Sequence, residues 1–438
     1  MSKFRTVGGL RPHTLAALAV LATTIVTSIV ILRAGATPAQ AAPWIHEFGS
    51  DGHDSATAAA ADASGIAIVG WSTGVFAGQT FAGGPQDAFV VRFDTAGTAT
   101  WAREFGTSGS DAATAVAIGG DGAVLVAGQV GGPLAGPASG PFDAFARKYN
   151  ADGSAQWTRQ FGVGQTGATS ASGVAVDGAG AVYVAGWVQG ALPGATNGGL
   201  GDAFVRKYNA AGAEVWTRQF GGADHDQATM VKADAAGDVY VAAQIDQRSG
   251  DAGSTVVRKY SPSGELLSTR TLGQPADETI AVTIDASGAM YLVGNGFPAN
   301  RAHDHSQGQA ESNHAGEPFV RKYDPSGAEL WTSPLPGSRT EVATNIAVDS
   351  AGTVYVVGYT SRGMGQGNPN FRSVAFSRAF DVTSGTPGAT RQFPSAGYTR
   401  GTAVAVGSPG DPYTVGWTQG AMPGATLNGP TDAFVALR

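Results

Sequence analysis

The eight residues DAFVRKYN at positions 202–209 return along the chain at a period that confines what the chain can become. The copy that starts at Phe204 has counterparts starting at Phe89, Phe145, Val256, Phe319, Phe376 and, cut short by the C-terminus, Phe434, spaced 52 to 63 residues apart. Self-similarity at such a period marks a supersecondary unit that buries its apolar surface against its own neighbours. Three more elements share the period. AVAIGG, GVAVDG, VKADAA, VTIDAS and IAVDSA are each followed by VLVAG, VYVAG, VYVAA, MYLVG or VYVVG. WIHEFG at 44, WAREFG at 101 and WTRQFG at 157 and 216 supply the last, with weaker versions at Leu267, Trp331 and Ala389. All four alternate or run apolar over five to eight residues between turn signals, which reads as β-strands.

Each repeat is therefore expected to be a four-stranded antiparallel meander, its strands named a to d. Seven such units have one well-known closed solution, a β-propeller whose blades pack face to face and leave only short edges. The fold class predicted is all-β, a seven-bladed β-propeller. Residues 44–48 form a d-type strand and residues 432–437 a c-type strand, so the N-terminal outer strand should join the C-terminal blade and close the ring. The 65 glycines and the 14% of charged residues suit many tight turns and few surface helices. Cysteine is absent, which excludes disulfides, thiolate metal sites and a cysteine nucleophile.

The run FGGADHDQATMVKADAAGDVYVAA, a glycine-rich loop, and DAFVRKYNAAGAEVW in succession resemble the SBBP β-propeller repeat family of bacterial secreted and surface proteins. The resemblance implies a fold and an extracytoplasmic location. It implies no reaction, because the family has no common one. VAVDGAGAVYVAG and YDPSGAELW also resemble NHL and quinoprotein repeats, as shared blade grammar.

Residues 1–41 differ in kind. Lys3, Arg5 and Arg11 precede an uncharged apolar run from Leu15 to Leu32, and Ala39-Gln40-Ala41 offers a small-x-small cleavage site. The segment is read as a secretory signal peptide, with an uncleaved membrane anchor as the alternative and residues 42–438 as the propeller. The segment carries four bases and no acid, so its removal takes the net charge from -7 to -11 and disfavours nucleic acid as a partner.

Strand alternation turns Asp202, Phe204, Arg206 and Tyr208 one way and Ala203, Val205 and Lys207 the other. Phe204 and Tyr208 read as packing between blades. An arginine on such a face needs a partner, and the aspartate ending strand a is a candidate: Asp177 with Arg206, Asp234 with Arg258, Asp285 with Arg321, Asp349 with Arg378. The DxxG and NxxG quartets, NADG at 150 and DPSG at 324 among them, read as hairpin turns, since they lack the acidic density of a calcium loop.

In this topology the short turns share one end of the propeller and the long b–c and d–a loops share the other, which is the expected binding face. Three features converge there. Asp54, Asp111, Asp226, Asp277 and Glu341 precede strand a and either ring the channel mouth, attracting a cation, or cap their own loops. Trp71, Trp187, Tyr359 and Trp417 end strand b and can stack on a sugar or pack beneath the loops. His303, His305 and His314, with Asp304 and Glu311, lie in a blade-five insertion that suits a divalent metal or is simply polar loop. The leading expectation is a secreted or surface-exposed, non-enzymatic scaffold binding an extracellular glycan, polymer or protein. The alternative is a propeller lyase or hydrolase, metal-assisted through the blade-five histidines. No HExxH or P-loop is present.

Overall fold

Two local devices turn each apolar run back on the next. At the a–b turn of the third repeat, Gly180 N–H bonds the Asp177 carbonyl (2.9 Å) and Asp177 N–H bonds the Ala181 carbonyl (3.0 Å). The Asp177 carboxylate accepts from Ala179 and Ala181 N–H at 3.0 and 2.9 Å. The c–d turn repeats the scheme with Asn209, which accepts from Ala211 and Ala213 N–H, and Gly212. The DxxG and NxxG quartets are thus closed by their own side chains, as Asx-type turns are.

The computed structural model describes residues 43–164, 167–247, 253–273, 277–296, 317–335, 341–360 and 373–437. The chain divides into Met1–Ala39 and Gln40–Arg438, and every described strand belongs to the second unit. The segment read as a signal peptide lies outside the described residues. The strands form seven four-stranded sheets. Blade 1 comprises Asp54–Asp62 (a), Gly65–Ser72 (b), Asp87–Asp94 (c) and Ala99–Phe105 (d). Blade 3 comprises Thr169–Val176, Val182–Val188, Asp202–Tyr208 and Glu214–Phe220, and the intervening blades follow the same order. Blade 7 combines Thr399–Ser408, Asp411–Thr418 and Asp432–Leu437 with the N-terminal strand Trp44–Phe48, which pairs antiparallel from Trp44 opposite Leu437 to Phe48 opposite Ala433. The chain is an all-β seven-bladed propeller closed by its first strand.

Strands a stand innermost and are tied directly to one another. Each carries a bulge, and the residue there is Thr57, Thr114, Ser172, Thr229, Ile280, Thr344 or Thr402. Thr57 Oγ1 bonds the Ala113 carbonyl of blade 2 (2.6 Å) and Thr114 Oγ1 the Ala171 carbonyl of blade 3 (2.6 Å). Ser172 bonds Ala228, Thr344 bonds Gly401, and Thr402 bonds Ala56 across the closure. The bulge frees a hydroxyl to reach the next blade, which strict pairing would not allow.

The repeated strand c stitches each blade to both neighbours. Phe204 and Tyr208 sit in the core shared with blade 2, Ala203 and Val205 in that shared with blade 4. The Arg206 guanidinium lies 4.1 Å from the ring centre of Phe161 in blade 2, as Arg147 lies over Phe105 and Arg258 over Phe220. Lys207 reaches the other way, to the Pro262 carbonyl of blade 4 (2.9 Å).

The expected Asp–Arg pairing is therefore corrected. Arg206 pairs with Glu214 (3.4 Å) and Thr217 in its own blade, while Asp177 accepts from Tyr183 Oη (3.0 Å). Asp285 accepts from Tyr291 and Asp349 from Tyr355. Arg321 pairs with Glu329 and Arg378 with Glu341, while Asp234 pairs with Lys259. The a–b turn aspartate is reached by strand b's tyrosine and strand c's lysine. In blades 2, 3 and 4 the arginine points to the preceding blade, where an aromatic face takes a cation, whereas Arg321 and Arg378 lie over Phe319 and Phe376 of their own strands.

The tryptophans of strand d complete the seams. Trp44, Trp101, Trp157, Trp216 and Trp331 each donate Nε1–H to a carbonyl in the c–d turn of the following blade, at 2.9 to 3.1 Å. Their rings cover that turn's glycine. Ser268 rather than Leu267 takes this place in blade 4, opposite Lys259 as Trp216 is opposite Lys207.

Candidate binding face

The loop-rich end is built around one register position of strand b. Trp71, Trp187, Tyr359 and Trp417 occupy it in blades 1, 3, 6 and 7, opposite Ala88, Ala203, Ala375 and Ala433 on strand c. Those alanines are fully buried, so the small second residue of the DAF motif leaves room for a large ring on the next strand. All four aromatic side chains are half-buried. They alternate with Gly70, Gly186, Gly358 and Gly416, and they share the face of strand b that turns toward the following blade. Gln129 and Gln244 hold the same place in blades 2 and 4.

Where blade 6 meets blade 7, the rings gain a cation. Arg400, exposed on strand a of blade 7, places its guanidinium carbon 4.4 Å from the Tyr359 ring centre and 5.4 Å from that of Trp417. No ion pair engages it among the described residues. Sequence reasoning missed Arg400, because it precedes an ordinary strand a and only the closed ring sets it between two aromatics.

The acidic residues serve the loops instead. Asp54 is fully buried and accepts from Ser50 N–H (2.7 Å) and Ser50 Oγ. Asp111 accepts from Thr107 N–H, Thr107 Oγ1 and Gly131 N–H, and Asp226 from the Gly222 and Asp246 N–H groups, both at 2.7 Å. Burial raises the pKa of all three, against the hydrogen bonds they accept. Thr399 fills the same position in blade 7, its hydroxyl bonding the Phe393 carbonyl and accepting from Ala375 N–H. A place that takes threonine as readily as aspartate calls for a hydrogen-bonding cap rather than a charge. Of the two readings of these acids, a carboxylate ring at the channel mouth or caps on their own loops, these three are caps. Glu341 is also buried, 3.6 Å from Arg378, and burial raises its pKa against the pull of that arginine. The Asp277 side chain and His303, His305 and His314 lie outside the described residues.

The long loops are laced into a rim. Backbone N–H groups of Asp54, Asp111, Asp226 and Thr399 bond carbonyls of Thr431, Gln86, Gly201 and Ser373, the ends of the preceding blades' b–c loops. Within a blade, strand d anchors the b–c loop: Gln160 Oε1 accepts from Leu134 N–H (2.7 Å), and its Nε2 donates to the Gly132 carbonyl and to Asp143. The face is a rigid collar of loops around a partial circle of half-exposed rings.

Comparison with known proteins agrees with this architecture. Residues 156–190 match the family model described as the SBBP beta-propeller repeat. Regulatory protein FlaEY of Caulobacter vibrioides is 29% identical over 220 residues, 46% of this chain and 22% of that protein, so the match spans less than a quarter of the relative. Among solved structures, that of a puromycin hydrolase superposes with a TM-score of 0.51 at 14% identity, covering 84% of this chain and 51% of the other. The Pan2 WD40 domain of Neurospora crassa gives 0.49 at 10% identity, covering 89% and 97%. At such identities the first likeness speaks to the fold alone. The stretch across the end of blade 2 and the start of blade 3 thus matches the SBBP beta-propeller repeat in sequence, and the same blade geometry recurs around a seven-bladed ring.

Proposed function

We propose that the propeller is a non-enzymatic binding scaffold, exported from the cell, which takes an extracellular carbohydrate polymer on its b–c and d–a loop face. The observation that carries this reading is the set of half-exposed rings Trp71, Trp187, Tyr359 and Trp417 at one register position, joined by Arg400. Sugar rings present C–H faces that lie against aromatic planes, and their hydroxyl or carboxylate groups suit a guanidinium. A polymer also fits several modest platforms spread around a collar better than a small molecule would, because linked sites add avidity. The loops around the rings are capped by buried side chains, so little loop-ordering entropy opposes binding.

Titration calorimetry of residues 42–438 against neutral and uronate-bearing polysaccharides tests the reading. Trp417→Ala and Arg400→Ala are each expected to weaken binding about three- to tenfold. Unchanged affinity in both variants, or no affinity for any polysaccharide, overturns it.

A further inference from the structure

The strand-d residue that anchors the b–c loop is glutamine in blades 2 and 3 and glutamate in blades 1 and 7. The positions are equivalent by register: Glu104 pairs with Phe89, Gln160 with Phe145, Gln219 with Phe204 and Glu47 with Phe434. They also do the same work. An oxygen of each accepts the N–H of the residue five places beyond the strand-b ring position: Phe76, Leu134, Leu192 and Met422. In the glutamine blades the second arm is an amide, and Nε2 of Gln160 and Gln219 donates 2.8 Å bonds to Asp143 and Asp202, the first residue of strand c. It also donates to the Gly132 and Gly190 carbonyls. In the glutamate blades that second arm is an oxygen. Glu104 Oε1 and Glu47 Oε2 are both buried and without a hydrogen-bond partner, as is Asp87 Oδ1. Asp87 accepts from Ala82 N–H, and Asp432 from the Asn428 and Gly429 N–H groups, so both aspartates are set as acceptors.

We propose that Glu104 and Glu47 hold the b–c loops of blades 1 and 7 as protonated acids, each donating a hydrogen bond toward the strand-c aspartate as glutamine does in blades 2 and 3, so that these two loops loosen as pH rises. An ionised glutamate would set a second anion against Asp87 or Asp432 in a buried site, where like charges cannot both persist. Burial pushes Glu104 up to about 7, with Asp87 and Asp54 adding to the rise, and pushes Asp87 up to about 6, with Asp111 adding. Glu47 is raised by burial and by Asp432. The charges acting most strongly on these groups are thus carboxylates from strands a and c of blade 1 (Asp54, Asp87), from strand c of blade 7 (Asp432) and from just before strand a of blade 2 (Asp111). The cations near Glu104 are engaged elsewhere, Arg92 by Asp62, Arg103 by Trp101 and Arg147 by Phe105, while on the side of Glu47 Arg391 of blade 6 lines a cleft with Ile45 and its Nη1 has no hydrogen-bond partner.

The sign follows from the direction of the shift. A carboxyl whose pKa is raised in the folded protein contributes stability that is full below its unfolded value, near 4.5, and is lost as pH rises through about 7. Blades 1 and 7 adjoin at the ring closure, so the effect falls on two neighbouring loops, while the glutamine-anchored loops of blades 2 and 3 serve as internal controls. This proposal stands whether or not the face binds carbohydrate.

Hydrogen exchange on residues 42–438 between pH 5.5 and 8.5, corrected for the intrinsic pH dependence of exchange, reads the anchors directly. Protection of the Phe76 and Ala82 amides is expected to fall at least tenfold across this range, and that of Leu192 and Gly198 to stay within twofold. Glu104→Gln should abolish the fall, and Gln219→Glu should create one in blade 3. If Glu104→Gln keeps the wild-type pH profile, or if blade 3 already loosens as blade 1 does, the proposal is overturned. Should Glu104→Gln fail to fold, the Gln219→Glu variant decides in the same way.

Discussion

Gly212 shows how a residue that reads as plain turn chemistry also carries a seam. It sits at φ +78°, where any other residue is strained, and a Cβ there would meet the Trp157 ring of the preceding blade at 2.8 Å. Gly194 has the same φ, yet a Cβ added to it would meet nothing. Gly194→Ala should therefore lose only the backbone component, about 1 kcal/mol, and Gly212→Ala about 2 to 4 kcal/mol once the displaced ring is included. Urea unfolding midpoints of the two variants separate these terms, and equal losses would show that the tryptophan yields freely. The turn itself was legible from the NxxG quartet. Its tryptophan lid was not, because that lid comes from a strand some 50 residues earlier and only blade stacking brings the two together. The same limit explains the misassigned arginine: alternation correctly turned Arg206 and Phe204 to one face, but Phe161, which receives the guanidinium, belongs to another repeat.

Strand c is the element in which most of these contacts meet, and it was the most legible in sequence because its work recurs in most blades. Its aspartate caps a loop, its alanine seats a ring, its phenylalanine and tyrosine fill one seam, and its arginine and lysine reach opposite neighbours. In blade 7 strand c ends the propeller, and its open edge is covered by Trp44–Phe48. Unpaired edges template pairing with other chains. A chain beginning at residue 51 should therefore form dimers or larger species on size-exclusion chromatography, and a peptide of residues 43–50 added in trans should restore the monomer. A monomeric truncated chain that ignores the peptide would mean that the closing strand is dispensable. The same closure accounts for the weak strand-d motif in blade 6: Ala389 stands where other blades have tryptophan, and blade 7 has no continuous c–d turn for a tryptophan to cover. The binding face was half legible. Periodicity placed the rings, whereas the carboxylates beside them looked available until the backbone donors around each were in view.

At the scale of the whole ring, the seams are unequal, and the junction of blades 4 and 5 departs most from the common plan. Ser268 replaces the tryptophan, Leu272 stands where Phe220 does in blade 3, and the Thr279 carbonyl, at the register where the Ala113 carbonyl receives Thr57 in blade 2, receives the Gln244 amide instead. Arg321 consequently lies over Phe319 of its own strand, and Lys259 pairs within its own blade with Asp234 and Asp238. An apolar cluster around Leu272, Ile284 and Phe319 still joins the two blades, and polar contacts supplement it: Lys232 Nζ on the Ile284 carbonyl, and the Thr255 and Thr279 hydroxyls at 2.6 Å. The uncovered turn keeps the mark of the missing lid. Gly327 is only partly buried, whereas Gly97, Gly153, Gly212, Gly264 and Gly385, each beneath a tryptophan, are buried. A ring fails at its weakest joint, so hydrogen exchange should open the strands flanking this seam, Leu266–Leu272 and Asp277–Ile284, before the closure strands Trp44–Phe48 and Asp432–Leu437. Gly327 still has the φ of +92° that the lid requires, which makes the defect repairable. Ser268→Trp should cover Gly327, bond the Pro325 carbonyl as Trp216 bonds Pro262, and raise stability by about 1 to 2 kcal/mol from buried ring area and one hydrogen bond. Its signature is slower exchange confined to blades 4 and 5 together with a higher unfolding midpoint. An unchanged midpoint, or faster opening at the Trp44–Phe48 closure in the parent protein, would place the weakest joint elsewhere.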